Sequence, residues 1–390
     1  MKKKVAFLVI AVILIASFSF TGAGEHFVEL IDKIVFSFPQ LASYTVPESG
    51  KGTGYFRHSY ENLDDTEKQA YSLILQRIGE HPEKIRVPKL NGNQIKDVFL
   101  ALSYDNPDIL CLSYEYKLIN RAGRYYFMPI YSESAELCNI NTLKLEEVIR
   151  DIKKQTDTLR NDYEKEKFVH DYIIEKCKYT VDTSKAYANN AYGALVVGEA
   201  ACEGYSRAFQ LVLSRLDIDV RLITGKVIDD ENGGTIGHMW NAVVIDDENY
   251  FVDLTWDDPI SQEDIIGYAY FNTTGDMIKD THIKIDQDIQ CTATKYNYFV
   301  KENLYFTNTG DYFEIRVKSA VGYFYTQGRK SVDFRFSDFE TYNKAKNKMI
   351  NGNLLREAFE LCGLIRKNSG FTINYSENPA ALTLRLLLEA

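Results

Sequence analysis

Proline is scarce, at 8 residues in 390, and the six cysteines, at 111, 138, 177, 202, 291 and 362, include no Cys-x-x-Cys pair. That spacing excludes zinc-ribbon and thioredoxin-type sites. If one cysteine is a free nucleophile, the odd remainder cannot all pair within the chain. The pattern therefore speaks against a dense disulfide framework and leaves room for one bridge, such as Cys111 to Cys138, in an oxidising compartment. Basic excess is also missing: 45 Lys and Arg against 55 Asp and Glu give a formal net charge of −10. With no clustered basic surface to neutralise phosphates, nucleic acid is not an expected partner. The acidic pairs Asp229-Asp230, Asp246-Asp247 and Asp257-Asp258 read as solvated turn residues. The histidines at 26, 58, 81, 170 and 282 lack metal-ligand spacing, and His170 on an apolar helix stripe reads as a satisfied core residue, so no cofactor or metal is expected.

Long apolar runs are absent save one. Lys2, Lys3 and Lys4 precede Val5 to Ala16, which continues through Phe20 to the small residues Thr21-Gly22-Ala23. This is the layout of a secretory signal, with an uncleaved N-terminal anchor as the rival. No cysteine follows it, so a lipoprotein anchor is not indicated. The expected location is secreted or cell-surface, with membrane contact only through the N-terminal segment if it is retained.

Aromatic residues are plentiful, at 27 Tyr and 22 Phe, which favours a substantial β component. The predicted organisation is a signal or anchor at 1–23, a linker at 24–60, an N-terminal α+β unit at 61–140, a catalytic core at 141–298 and a C-terminal α/β module at 299–390. The stretch Pro47 to Gly54 reads as a flexible tether. Capping residues from Asn62 to Glu67 predict a helix through Ile78, and a second helix fits Gln94 to Tyr104. Ile109 to Ile119 and Arg124 to Tyr131 form a hairpin signature. Helical spacing runs from Leu143 to Lys178, with a break near Asn161-Asp162. In the tail, strands are expected at Tyr312 to Val317, Val332 to Phe336 and Phe371 to Tyr375, with a helix from Asp338 to Leu361.

The chemistry concentrates between residues 190 and 260. A glycine-bearing loop leads into Cys202, and Tyr205, Ala208, Phe209, Val212 and Leu216 then continue an apolar helix. Cys202 thereby falls in the helix's first turn, where unpaired N–H groups and the dipole favour a thiolate and can hold an oxyanion. Alone, such a cysteine reads as a small apolar filler. The second half of the pattern changes that reading. Gly237-His238-Met239-Trp240-Asn241-Ala242-Val243 and Tyr250-Phe251-Val252-Asp253-Leu254-Thr255-Trp256 flank a polar turn at 246–249 and predict a hairpin. Pairing Ile245 with Tyr250 puts His238, Trp240, Phe251, Asp253 and Asp257 on one face. A histidine needs a carboxylate there to hold its tautomer, and either Asp253 or, directly opposite in this register, Asp257 can supply it.

The Cys-Glu-Gly-Tyr-Ser run at 202–206, the Gly-His-Met-Trp-Asn-Ala-Val run at 237–243 and the Tyr-Phe-Val-Asp-Leu-Thr-Trp-Asp-Asp-Pro run at 250–259 resemble the transglutaminase-like superfamily, related in layout to papain-like cysteine proteases. Tyr-Asp-Asn-Pro at 104–107 resembles the N-terminal region of secreted bacterial members. The resemblance implies an α+β fold, with a helix that begins at the cysteine packed on an antiparallel sheet and small α+β units on either side. It implies Cys202 as nucleophile, His238 as base and Asp253 as the residue that orients it. It leaves a second oxyanion donor open, with Tyr192 a candidate whose rival role is plain packing, and Trp240 and Trp256 as cleft walls. Some animal members need calcium, but no Asp-x-Asp-x-Asp-Gly loop occurs here. The implied activity is acyl transfer or hydrolysis on a protein or peptide substrate, cell-envelope associated if exported. The alternative is a non-catalytic surface module that keeps the fold.

Overall fold

The computed structural model describes residues 45–388 apart from 230–233, 259–264, 285–288, 368, 369 and 371. The expected signal or anchor at 1–23, the linker as far as residue 44 and Pro259 of the third motif lie outside the described residues. No described helix is long and apolar enough to cross a membrane.

The N-terminal unit is built by two self-capped helices. Asp64 accepts from Thr66 N and Glu67 N while Glu67 returns a bond to Asp64 N, which starts α1 (Asp65–Ile78). Asn91 and Gln94 do the same for α2 (Gly92–Asp105). Reciprocal caps of this kind satisfy orphan amides at a helix start. Strands β1 (Ile85–Val87), β2 (Leu112–Arg121) and β3 (Arg124–Tyr131) form an antiparallel sheet in the order β1-β3-β2. The β2–β3 turn is the two residues Ala122 and Gly123, both at positive φ. Tyr71, Ile74, Val98, Leu102 and Phe127 close this unit's buried core.

The stretch read as a flexible tether is docked from Gly50 onward. Gly50 bridges Tyr55, Gly52 N donates to Asp217 Oδ1, and Gly54 O accepts from Arg215 Nη1. Its glycines supply the positive-φ turns that let the backbone fold onto the core, a use that composition alone does not separate from flexibility. The Tyr-Asp-Asn-Pro run also has a mechanical role. Asp105 accepts from Ser59 N and Tyr60 N at the start of a one-turn helix, Asn106 Nδ2 donates to Leu102 O and Tyr71 Oη, and Tyr104 O accepts from Gln210 of the central helix.

The core begins with two helices, α3 (Ala135–Thr156) and α4 (Asp162–Lys176), separated where Asn161 caps the second. Cys138 of α3 is bridged to Cys111, which ties the N-terminal unit to the core. The short strands β4 (Lys178–Tyr179) and β5 (Glu199–Ala200) pair in parallel, a π-helical turn spans Gly193–Val197, and α5 (Cys202–Arg215) follows. The helix packs on the antiparallel sheet β8-β7-β6-β9, made of β6 (Val220–Asp229), β7 (Gly234–Ile245), β8 (Glu248–Val252) and β9 (His282–Lys284). The β7–β8 turn is shorter than the sequence suggested. Asp246 and Asp247 alone form it, at φ 50° and 64°, and Ile245 pairs with Glu248. The register thus moves by two residues, which keeps the side chains of the paired strands on their predicted faces. Thr255 and Trp256 leave the sheet for a short helix, α6 (Leu254–Asp257).

Beyond it, β10 (Tyr305–Phe306), β11 (Ser331–Phe336), β12 (Tyr375–Asn378) and β13 (Thr383–Leu387) make a second sheet in the order β10-β11-β13-β12. The segment expected as a strand at Tyr312 to Val317 is instead the start of α7 (Phe313–Thr326). Phe313, Val317, Val321 and Phe324 are buried at helical spacing, and burying that stripe outweighs the local β preference of its aromatic and branched residues. The helix expected from Asp338 to Leu361 is divided into α8 (Phe339–Lys346), a π-helical turn and α9 (Leu354–Cys362). Phe306, Phe334 and Leu384 of this sheet belong to the same buried cluster as Phe209 and Val243 of the core.

Candidate active site

Cys202 is the first helical residue of α5 and is half-buried. Its position is set by a loop tied down on both sides. Thr180 N donates to Ala200 O and Ala201 N to Ala188 O. No side chain caps this helix, and its first backbone bond runs from Tyr205 N to Ala201 O. The amides of the first turn therefore keep the polarity that suits an anionic partner.

The rest of the Cys-Glu-Gly-Tyr-Ser run locks that turn in place. Glu203 pairs with Arg207, which also donates to Ser103 O in the N-terminal unit. The Tyr205 hydroxyl donates to Asp258 Oδ2 at 2.5 Å, and Ser206 Oγ lies 2.9 Å from Cys202 O and 3.0 Å from Met239 O. Asn241 Nδ2 adds a bond to Ser206 O. The cysteine's helix and the histidine's strand are thus joined by hydrogen bonds from residues within the motifs themselves.

His238 on β7 is buried, and its Nε2 lies 2.6 Å from Asp253 Oδ2. The Cys202 side chain is near enough to add to the rise in the ring's proton affinity. With Nε2 engaged by the carboxylate, the other ring nitrogen, Nδ1, is the one left for sulfur. Asp253 lies just past β8 and doubles as the N-cap of α6, its Oδ1 accepting from Thr255 N and Trp256 N. Asp257, the other candidate partner, points elsewhere: its Oδ2 lies 3.3 Å from His170 Nε2 and its Oδ1 accepts from Tyr270 N. The structure therefore brings Cys202, His238 and Asp253 together and leaves Asp257 with the buried His170.

Burial alone would lower the proton affinity of His238, but the Asp253 charge and its hydrogen bond, followed by the Cys202 contact, outweigh it and raise the pKa from 6.5 to about 10. Burial likewise works to raise Asp253, and the His238 charge and hydrogen bond, with those of His282, hold it well below the usual carboxylate range. His238 thus keeps a proton through neutral pH. Because its folded value exceeds the free one, its contribution to stability is complete below pH 6.5 and is lost as pH rises toward about 10. Asp253 has the opposite sign: its contribution is present above pH 3.8 and lost as pH falls. The melting temperature of the wild type is therefore expected to fall more steeply between about pH 7 and 10 than that of His238→Gln. Parallel slopes in calorimetry would remove this assignment of the proton.

The sequence reading passed over two neighbours. His282 on β9 places Nε2 2.9 Å from the same Asp253 Oδ2. Tyr179 is near enough for the charges of Cys202 and Asp253 to add to burial in raising its pKa. Tyr192, the residue singled out as an oxyanion donor, packs against the main core. Trp240 and Trp256 wall the site as expected, their rings 6.0 and 6.2 Å from that of His238.

His238, Asp253 and His282 bring potential ligand atoms within 4.8 Å of one another. A tetrahedral zinc shell with bonds of about 2.0 to 2.1 Å would hold such atoms roughly 3.3 Å apart. The two nitrogens instead stand 2.6 and 2.9 Å from Oδ2, which are hydrogen-bond lengths.

A cysteine-first helix laid on an antiparallel sheet that carries the histidine places the chain in the papain-like class of folds. Residues 150–254 match the model of the transglutaminase-like superfamily. No curated protein matches the chain. Among solved structures, a TGase aligns over 44% of this chain and 50% of its own length, at 14% identity and a TM-score of 0.26. A candidate cysteine protease from Cytophaga hutchinsonii aligns over 36% and 61%, at 12% identity and a TM-score of 0.25. A candidate protease from Parabacteroides distasonis aligns over 35% of each chain, at 11% identity and a TM-score of 0.23. This chain thus spans less than two thirds of each of those proteins, and such alignments are too partial to carry structural detail across.

Proposed function

We propose that the protein is an exported thiol-dependent acyl transferase or hydrolase acting on amide groups of proteins or peptides, with Cys202 as nucleophile, His238 as acid and base, and Asp253 orienting His238. The observation that carries this reading is the buried Asp253 carboxylate 2.6 Å from His238 Nε2, on an imidazole near enough to Cys202 for that side chain to raise its proton affinity further. The sulfur attacks the carbonyl carbon and forms a C–S bond, while first-turn amides of α5 face the oxyanion. The imidazolium gives its proton to the departing nitrogen as the C–N bond breaks. Water or an amine then attacks the thioester, His238 takes its proton, and the C–S bond breaks to restore the pair. Amine acceptance gives cross-linking, whereas water acceptance gives deamidation or peptide cleavage. The match of residues 150–254 to the transglutaminase-like superfamily model supports the reaction class. The charged and apolar N-terminus supports export to the cell surface or medium, with membrane contact only through 1–23 if that segment is retained.

Besides Cys202, three cysteines lie outside the Cys111–Cys138 bridge and serve as internal controls. Cys177 and Cys291 are buried, burial pushing the Cys177 thiol up to about 12, and Cys362 is half-buried like Cys202. Limiting p-nitrophenyl acetate is expected to acetylate Cys202 at least tenfold faster than Cys362, as read by peptide mass spectrometry, and the thioester is expected to discharge to water or to added hydroxylamine. Equal labelling of Cys202 and Cys362 would favour the non-catalytic surface module instead.

A further inference from the structure

We propose that His282 is a positioning residue for Asp253, making the site a four-membered chain in which one carboxylate oxygen serves two imidazoles. The proposal rests on the reading of Cys202 as the nucleophile.

Asp253 has four donors on two oxygens. Oδ1 accepts from Thr255 N at 2.9 Å and Trp256 N at 3.2 Å, and Oδ2 lies 2.6 Å from His238 Nε2 and 2.9 Å from His282 Nε2. A carboxylate offers about four lone-pair sites, so this one is saturated and cannot rotate without breaking a bond. Without His282, Oδ2 would rest on His238 alone.

The second imidazole matters because of what His238 does during turnover. In the resting pair the His238 proton compensates the buried Asp253 charge. Once that proton has gone to the leaving group, the carboxylate faces a neutral ring in a pocket walled by Trp240, Trp256 and Tyr270, and a buried anion without a facing positive charge is costly. The His282 Nε2–H persists through that step. It keeps Asp253 ionised and aimed at His238 Nε2, so that His238 returns as a base in the tautomer that presents Nδ1 to the thioester's attacker.

His282 is itself held. Its Nδ1 lies 2.8 Å from Thr281 Oγ1, which lies 3.0 Å from Ile278 O. The Thr281 hydroxyl can donate to Nδ1, or can donate to Ile278 O and accept from Nδ1–H. Both states keep Nε2–H on Asp253 with no heavy atom displaced. The ring stands 4.9 Å from Trp256 and 5.1 Å from Trp240, and the residue is buried on a strand paired with β6. His282 reaches the site through its bond to Asp253 Oδ2, so its effect passes through Asp253.

The test uses His282→Phe and His282→Gln in the full chain, with p-nitrophenyl acetate as the probe. For the Phe variant, kcat, which includes the base-assisted deacylation, is expected to fall about 10- to 100-fold while KM stays within about threefold. Gln, whose amide can donate to Oδ2, is expected to restore most of the loss. Proton NMR gives a readout independent of turnover: the resting wild type is expected to show two low-field imidazole N–H signals, with the Phe variant losing one and shifting the other. Wild-type kcat in His282→Phe would overturn the proposal, as would a loss that Gln does not rescue. If wild-type Cys202 is not acylated at all, the enzymatic reading fails, and that result is separate from the NMR signature of the shared oxygen.

Discussion

Replacing Asp253 by Asn is expected to cut p-nitrophenyl acetate turnover by roughly 10³- to 10⁴-fold with little change in KM, the scale seen when a triad carboxylate is made neutral. The substitution changes little in shape. The Asn oxygen can still accept from Thr255 N and Trp256 N, so the start of α6 survives. The amide nitrogen then occupies the place of Oδ2 and presents donors to both His238 Nε2 and His282 Nε2. To avoid opposed donors, His238 must move its proton to Nδ1, the nitrogen that faces Cys202. A ring in that tautomer cannot take the thiol proton. The charge that raises His238 is also gone, and burial, which opposes it, then prevails. Alkylation of Cys202 by iodoacetamide near pH 6 is therefore expected to slow in parallel with turnover. Asp257→Asn is the matched control, because Asp257 serves His170 and Tyr270 N rather than His238. It is expected to lower stability and leave Cys202 labelling near wild type. Turnover in Asp253→Asn within tenfold of wild type, or the same slowing in both variants, would remove Asp253 from its role.

The first helix of the N-terminal unit was legible because its cap is local: Asp64 with Glu67 announces itself within four residues. The Cys202 helix and the two strands after it were legible for the same reason, since each carries an unbroken apolar stripe. The register between those strands was not. A two-residue turn is usually signalled by glycine after Asn or Asp, and Asp246-Asp247 makes one with two aspartates at positive φ. The pairing of His238 with Asp253 survived the error, since a shift of two preserves the face. His282 was invisible for a different reason. It stands 29 residues past Asp253 on a three-residue strand, and only the antiparallel pairing of that strand with β6 brings it to the carboxylate. Long-range pairing of this kind leaves no periodic trace in the chain. The α7 helix was misread because four aromatic and branched residues in the six from Tyr312 to Val317 match either period, and the choice is made by tertiary burial.

Gly204 shows what the spacing of the cysteine motif encodes, and it yields the largest expected stability effect. The residue lies two positions after Cys202 in the first turn of α5, where the helix passes against the loop that leads into it. A Cβ at Gly204 would stand 2.6 Å from Ala188 O, 2.7 Å from the Ala200 methyl and 3.2 Å from Asn190 O. Two of these neighbours are backbone carbonyls, and Ala188 O is already engaged by Ala201 N, the bond that fixes the residue before the cysteine. Relief requires the helix and loop to separate. Alanine would gain up to about 1 kcal/mol of helix propensity over glycine in a helix interior, and less in a first turn. Overpacking against backbone costs about 1 to 3 kcal/mol and sometimes more. The clash should prevail, giving a net loss of about 2 kcal/mol or more in urea denaturation. The same separation moves Cys202 relative to His238, because Ser206 ties the helix to Met239 O two residues beyond the glycine. Gly204→Ala is thus expected to slow Cys202 acylation about tenfold or more even under conditions where the variant is fully folded, given the sensitivity of such reactions to ångström-scale misplacement. A folded Gly204→Ala protein with wild-type stability and acylation would show that the loop and helix yield freely, and that the close approach does not position the sulfur.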